Sequence, residues 1–444
     1  MVLLLAPAQP SAQDGKRDGR AWQLARPQVT TAGSHPQEGE APPSPADALF
    51  DGQVLQRVDL LVHSADWAKL KENFRENDYY PADLTWNGQT IRNAGIRSRG
   101  TGSRSGSKPG LRVDFNRYAD QEFLGLKSLV LDNLTQDASG IHESVAMALY
   151  QRLGIPAPRE AHARLYVNNE YAGLYVIVES VDKDLLARVF GEIDGNVQND
   201  GYLYEFNWED EWHFEHLGED LRPYKDRFDP KTHESESDEQ LYRPIEELIR
   251  LVDETRQDRL PEAIGDRFDL PGFIRYVAAQ NFVGETDGFL GAWGVNNFYL
   301  YRLEDQARHV LIAWDADSTF WGPTFPTNDG HDANILMAKL MRVPEYAAMY
   351  RAELQRVVDL AAEPAGDTTW LDAEIRRQLD LIDQAMREDS ARPYGDNQYD
   401  GAAGEMRAFT SARLAYVRCE LERGPRSGCE SVLETAAGGV RSEK

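Results

Sequence analysis

Residues 286–322 read TDGFLGAWGVNNFYLYRLEDQARHVLIAWDADSTFWG, and their reading decides the fold. Two apolar runs, FYLYR and HVLIA, flank a charged turn, so the stretch predicts a β-hairpin. Polar residues gather at its open end. Asp287 lies in the entering loop, Asn296 and Asn297 open the first strand, and Asp315 and Asp317 end the second. Helical patterns dominate around this hairpin from Leu241 onward, including YRPIEELIRLVDET and FIRYVAAQNFVG. Ahead of it the chain is rich in strand patterns. A strand-rich half followed by a helical half with one embedded hairpin predicts an α+β fold.

Working outward toward the N-terminus, ARLYVNNEYAGLYVIVES is a second hairpin, its two apolar runs flanking a turn built on Asn168, Asn169 and Gly173. A helix is predicted from about Ser139 to Leu153, ended by Gly154 and Pro156. Asn87-Gly88 between alternating segments marks a further hairpin. QRVDLLVH reads as a strand, and Ser64 is placed to cap the helix SADWAKLKENF. Residues 1–48, rich in Pro, Gln, Ala and Gly, predict a disordered leader, whose first residues resemble the end of a secretory signal. The ordered domain is expected over 49–425. Its strand-rich part spans about 49–190, an irregular acidic and aromatic surface insertion about 191–240, and the helical part about 241–425. Residues 426–444 are expected to fray.

The hairpin's polar residues have a definite chemistry. Protein kinases use the same order: a loop aspartate that orients the acceptor hydroxyl, an asparagine before a strand, and an aspartate after the returning strand. The last two hold magnesium, a hard cation that takes oxygen ligands. The gross order of elements is likewise that of a kinase's two lobes. Asp315 and Asp317 are also compatible with a capped turn or a structural calcium loop, and Asp287 with an ordinary turn.

A second polar stretch, RSRGTGSRSGSKPGLRV (97–113), interleaves Gly100, Gly102, Gly106 and Gly110 with Arg97, Arg99, Arg104, Lys108 and Arg112. A glycine loop between strands brings backbone N–H groups and a lysine against phosphate oxygens. The spacing is not that of a P-loop, and a solvated basic hairpin tip is the plainer reading. Glu179, ending the apolar strand LYVIVE, is a candidate acidic partner for Lys108 or an ordinary strand-end glutamate. A competing reading takes Asp315 and Asp317 as the Asp-x-Asp of a haloacid-dehalogenase-type phosphatase, with Gly395, Asp396 and Asp400 as its later motif. That reading demands a parallel sheet alternating with helices.

Composition narrows the classes. With 444 residues and 41% hydrophobic content the chain can bury a large core. A formal charge of −26 argues against nucleic acid as the main partner. No apolar run approaches the roughly 20 residues of a membrane span. Cys419 and Cys429 suit a disulfide in an exported protein and plain thiols in a cytosolic one, and no histidine accompanies them for zinc. The expected location is exported, periplasmic or extracellular, with the cytoplasm as the alternative.

Taken together, several segments resemble the CotH (spore-coat protein H) kinase family. They are GIRSRGTGS with Lys108 downstream, the run from Phe115 to Pro158, LYVNNEYAGLYVIVESVDKDLL, GYLYEF, RFDPKTHESES, NNFYLYRLED and AWDADSTFWG. They stand in the family's order over about 50–325. The resemblance implies an atypical two-lobed protein-kinase-like fold, ATP as donor, Mg2+ or Mn2+, and a protein acceptor with Ser/Thr hydroxyls. It implies Asp287 as catalytic base, Asn297, Asp315 and Asp317 as metal-side residues, and Lys108 with its acidic neighbour Glu179 toward the nucleotide, where the basic glycine loop adds Arg97 and Arg99 as candidates. Thr101 stands where the family usually has Asn, and Asn296 where it has His. Other relatives look like surface or adhesion proteins, so a non-catalytic binding role is the alternative. The acceptor and the oligomeric state are not legible.

Overall fold

The computed structural model describes residues 44–193, 196–304 and 308–431. Order begins before the expected boundary: Ala46, Leu49 and Phe50 are buried against the first sheet. The rest of the expected leader, and the tail beyond 431, lie outside the described residues.

Nine elements build the N-terminal part: β1 (Gln56–Val62), α1 (Ser64–Glu72), β2 (Tyr80–Trp86), β3 (Gln89–Ser98), β4 (Leu111–Asp114), β5 (Ser128–Asp132), α2 (His142–Arg152), β6 (Glu160–Val167) and β7 (Glu170–Glu179). The strands close into a barrel in the order β1-β2-β3-β4-β5-β7-β6. Every pair is antiparallel except β1 with β6, which closes it. Closure leaves no free edge strand. Asn87 with Gly88, and Asn168 with Asn169, hold the left-handed backbone that two-residue hairpin turns require. Along β7, Tyr175 and Ile177 face the barrel core while Leu174, Val176 and Val178 face the helices, so the strand is apolar on both sides. The cap of α1 is His63, one residue before Ser64. α2 starts at His142 rather than Ser139, because the Asp137 carboxylate accepts the N–H groups of Ser139 and His142 and holds the preceding turn.

The chain continues through α3 (Lys183–Phe190), the two-residue strands β8 (Glu192–Ile193) and β9 (Asn196–Val197), β10 (Tyr202–Phe206), α4 (Arg222–Arg227), β11 (Phe228–Pro230), α5 (Asp238–Glu254), α6 (Leu260–Ile264) and α7 (Leu270–Val283). The predicted hairpin follows as β12 (Phe298–Arg302) and β13 (His309–Ala313). Then come α8 (Ile335–Met341), α9 (Pro344–Ala361), the short pair β14 (Pro364–Ala365) and β15 (Thr368–Thr369), α10 (Trp370–Glu388) and α11 (Asp396–Arg423).

Residues 191–240 are not a surface insertion. β10 pairs with both β11 and β12 inside a four-stranded sheet ordered β11-β10-β12-β13. Trp212, Tyr224 and Phe228 are buried, and the Phe206 ring stacks on Phe298 at 4.8 Å. Apart from Trp208, which is exposed, the tryptophans and phenylalanines of that stretch are core, and most of the acidic residues between them face solvent. The same sheet overturns the phosphatase alternative: β13, which delivers Asp315, lies in an all-antiparallel sheet. Asp396 and Asp400 sit in the first turns of a helix, not after a strand.

Cys419 and Cys429 form a disulfide, and Arg426 donates its backbone N–H to buried Glu420, so the tail is tied down at least to residue 429. Among the described residues no helix is long and apolar enough to cross a membrane.

Candidate functional site

α7 is an almost wholly buried apolar helix ended by Gly284 in the left-handed conformation. The chain then turns through Glu285 and Thr286 into Asp287. Thr286 donates its backbone N–H and its hydroxyl to Ser318 O, tying this turn to the segment after β13. The loop closes on itself through Asn296 N–H to Gly288 O at 3.1 Å. It is backed by the 207–214 segment, where Val295 N–H bonds to Trp212 O at 2.8 Å. The result is specific: Asn296 Nδ2 lies 3.2 Å from both Asp287 oxygens, and Asn297 Nδ2 lies 3.0 Å from Oδ2. Burial raises the Asp287 pKa, and the two amides oppose that rise by favouring the carboxylate.

Asn297 and Asp315 both hold positive φ, 55° and 51°. Such backbone is uncommon outside glycine and costs free energy, and it tends to cluster at functional sites. Both flank the base of the β12–β13 hairpin, whose last pair is Phe298 with Ala313. Burial lifts Asp315 to about 6. Arg99 opposes this, while Asp132, Asp287 and Glu205 add to it. Asp317 is pushed well above its ordinary range, by burial first and then by Asp315, Asp132 and Glu285. Glu285 rises to about 8 and Glu143 well above its usual value, again with burial leading.

The hairpin base is thus a crowd of carboxylates that raise one another. Among the described residues no three His, Cys, Asp or Glu side chains converge closely enough to hold a metal ion by themselves. Magnesium needs less: one or two carboxylates, with waters and substrate phosphates completing its shell. Asp315 and Asp317 would supply the carboxylates. Asn297 donates its Nδ2–H to Asp287, and its amide oxygen could serve as a metal ligand. The donor set is all oxygen, and its mutual repulsion is what a divalent cation relieves, so the residues fit that group.

The glycine loop is pinned rather than loose. Asn133 Nδ2 donates to Ser103 O and Lys108 O at 2.9 and 2.8 Å, Tyr175 OH donates to Pro109 O, and Arg104 Nε donates to Gly100 O. Lys108 is buried, with Nζ 2.6 Å from Asp389 Oδ2 and 5.2 Å from the Tyr175 ring centroid. Burial lowers its pKa, and Asp389 and Asp132 hold it back up. Asp389 follows α10 and also accepts the N–H groups of Leu174, Ala391 and Arg392. It approaches the barrel so closely that a Cβ at Gly173 would meet its Oδ2 at 2.6 Å.

Lys108 therefore pairs with Asp389 and not with Glu179. Glu179 lies four residues beyond Tyr175 on β7, roughly 13 Å along a strand. It is claimed there by Arg159 at 2.7 Å and Arg188 at 2.5 Å. The two candidate arginines also part company. Arg99 reaches the site, 3.7 Å from Asp132 and 5.4 Å over the Trp314 ring beside Asp315. Arg97 is held away from it by Tyr79 OH, Asn77 and Ser98 O.

The sequence reading missed Asp132, Glu285 and Asp389. Asp132 carried the signal that singled out Asp315, an acid ending an apolar strand (SLVLD). Asp389 carried none, since its bonds to Ala391 and Arg392 are those of an ordinary turn after a helix. Beside Asp317 opens a cavity of about 590 Å³, walled by His142, Phe320, Trp321 and Phe409.

The family described as CotH kinase protein matches residues 96–417 of the chain. The chain is also similar to the inner spore coat protein H of Bacillus subtilis (strain 168), 24% identical over 320 residues, covering 68% of this chain and 81% of that protein.

Proposed function

The chain belongs to the CotH kinase protein family, and from that premise we propose that it transfers a phosphoryl group from magnesium-ATP (or manganese-ATP) to Ser/Thr hydroxyls of a protein. That acceptor is a secreted or surface structural protein or the chain itself. The observation that carries the reading is the Asp287 carboxylate held at 3.0 Å by Asn297, at the mouth of the Asp315 and Asp317 strand end. That placement supports the reading, because a kinase-like centre needs a base beside the metal-side carboxylates.

In this reading Asp287 orients the acceptor hydroxyl and takes its proton as the oxygen bonds to phosphorus and the bond to the nucleoside diphosphate oxygen breaks. Burial makes its carboxylate more basic, while the amides of Asn296 and Asn297 keep it ionised and aimed. Asn297, Asp315 and Asp317 would hold magnesium, which when bound neutralises the donor's phosphate charge. Arg99 faces the donor side, Lys108 braces the glycine loop there through Asp389, and Arg97 and Glu179 act in the scaffold. The relative's printed name, an inner spore coat protein, supports a surface or exported location, as does the disulfide.

A binding-only role is the second reading, favoured by the complete burial of Lys108 against Asp389. Incubation with labelled ATP and magnesium or manganese separates the two. Self-labelling or ATP turnover supports transfer, while tight binding of intact ATP without turnover overturns it.

A further inference from the structure

The longest helix, α11, carries an arginine with no exposed surface. Arg413 Nε donates to Phe282 O at 2.8 Å and Nη2 to Asn281 O at 2.5 Å. Its Nη1 donates to Pro323 O at 2.9 Å and Phe325 O at 2.5 Å. The first two carbonyls belong to the last turn of α7, where a helix leaves its C=O groups without partners and presents the negative end of its dipole. The other two belong to the segment that follows Asp317. One guanidinium therefore ties together the stretch that leads into Asp287 and the stretch that leads out of Asp315 and Asp317.

The tie is reinforced on both sides. The two stretches bond to each other through Thr286 N–H to Ser318 O at 3.1 Å and Phe320 N–H to Val283 O at 2.6 Å. Seven residues along α11, Glu420 accepts Thr327 N–H at 2.9 Å, while its other oxygen takes Tyr416 OH and Arg426 N–H. Glu420 is thus spent on other donors, and Arg413 makes no ion pair of its own among the described residues. Its direct hydrogen bonds all go to carbonyl oxygens, while Glu420 acts on its charge only at longer range, without a direct bond. Such an arrangement is worth a buried charge only where the geometry it fixes matters, because a planar five-donor fork sets distances and angles that a flexible ammonium does not.

We propose that Arg413 is a positioning residue for the transfer step, fixing the placement of the Asp287 loop relative to the Asp315–Asp317 strand end. The inference rests on the phosphoryl-transfer reading above. It assigns Arg413 no contact with donor or acceptor. Its effect is to hold the base and the metal-side carboxylates in register, a condition to which in-line transfer is steeply sensitive.

The test compares the parent with Arg413→Lys, which keeps the charge but reaches fewer of the four carbonyls, and with Leu379→Ala, a core truncation in α10. Arg413→Met serves as a harsher variant if it folds. Three quantities are read at a temperature well below every unfolding midpoint: magnesium-ATP affinity by calorimetry, single-turnover transfer rate per folded molecule, and hydrogen exchange of residues 284–297 and 317–327. For Arg413→Lys the expected result is an affinity within about 3-fold of the parent, a transfer rate lower by about 10–100-fold, and faster exchange confined to those two stretches. Leu379→Ala is expected to lose stability with its transfer rate unchanged. Parent-like transfer by Arg413→Lys, or a loss matched by Leu379→Ala, overturns the positioning role while leaving the kinase reading intact. Absence of transfer in the parent itself overturns the kinase reading, and the positioning role with it.

Discussion

Lys108 of the glycine loop and Asp389, which lies beyond α10, meet at 2.6 Å with neither side chain exposed to solvent. The pair welds the barrel to the helical part at the loop proposed to face the nucleotide. Removing one member of a buried pair strands the other charge, at a cost of about 3–5 kcal/mol, whereas removing both costs far less. We expect Asp389→Asn to lower the unfolding midpoint sharply and Lys108→Met/Asp389→Asn to recover a good part of the loss. Chemical denaturation of the two singles and the double completes the cycle, and additive losses would show that the contact carries no coupling.

Asp287→Asn preserves size but turns an NH2 toward donors that now bond to carboxylate oxygens. Transfer is expected to fall by about 10²–10⁴-fold, the scale of losing a general base, with ATP affinity nearly unchanged. Nucleotide binding and transfer should be measured on one preparation. If both vanish together, Asp287 belongs among the metal-side residues instead.

Asp315→Ala is expected to abolish metal-dependent nucleotide binding without destabilising the metal-free protein. The parent carboxyl titrates at about 6 because burial and neighbouring acids disfavour its charge. Its folded pKa therefore lies above the unfolded one near 3.9, and at pH 7–8 the charged group subtracts from stability. The thermal midpoint of the metal-free variant should equal or exceed the parent's at that pH. A clearly lower midpoint would mean that Asp315 is structural.

A pH test reaches a buried histidine that takes no part in the proposed chemistry. His162 is buried, with Nε2 2.7 Å from Gly140 O, and burial lowers its pKa to about 4. The folded state then binds fewer protons than the unfolded chain between pH 6.5 and 4. Stability contributed by the neutral ring is complete above 6.5 and drains away as pH falls through that window. The loss approaches about 3 kcal/mol from this one group. Urea titrations of parent and His162→Gln at pH 7 and pH 4.5 should show a shallower decline in the variant. Parallel declines would mean that the ring takes up its proton without penalty. His309 and His331, both lowered to about 4, act in the same direction in both proteins and cancel from the comparison.

Local patterns carried most of the fold into view. The Asn-Gly and Asn-Asn turns, the strand QRVDLLVH and the helical run FIRYVAAQNFVG each depend on residues a few positions apart, and each appears where the pattern puts it. The hairpin carrying Asn297 and Asp315 was legible for the same reason. What failed was whatever required distant partners. Residues 191–240 looked irregular because β10 acquires its neighbours, β11 and β12, only through the folded sheet. Glu179 looked like a match for Lys108 because a strand end and a loop can be imagined side by side, yet two arginines already hold it. Asp389 and Arg413 bond mainly across the fold, so no window of sequence contains their reason for being there.

The pairing of Lys108 with Asp389 also bears on the order of events during synthesis. The barrel strands and the lysine they enclose leave the ribosome long before the carboxylate that neutralises it. Until α10 and the turn after it emerge, a nascent barrel must keep that ammonium in water by leaving its loop unlatched. Chains released early, without the last helices, would carry an open barrel with a solvated basic loop, the kind of incompletely packed product that proteases remove.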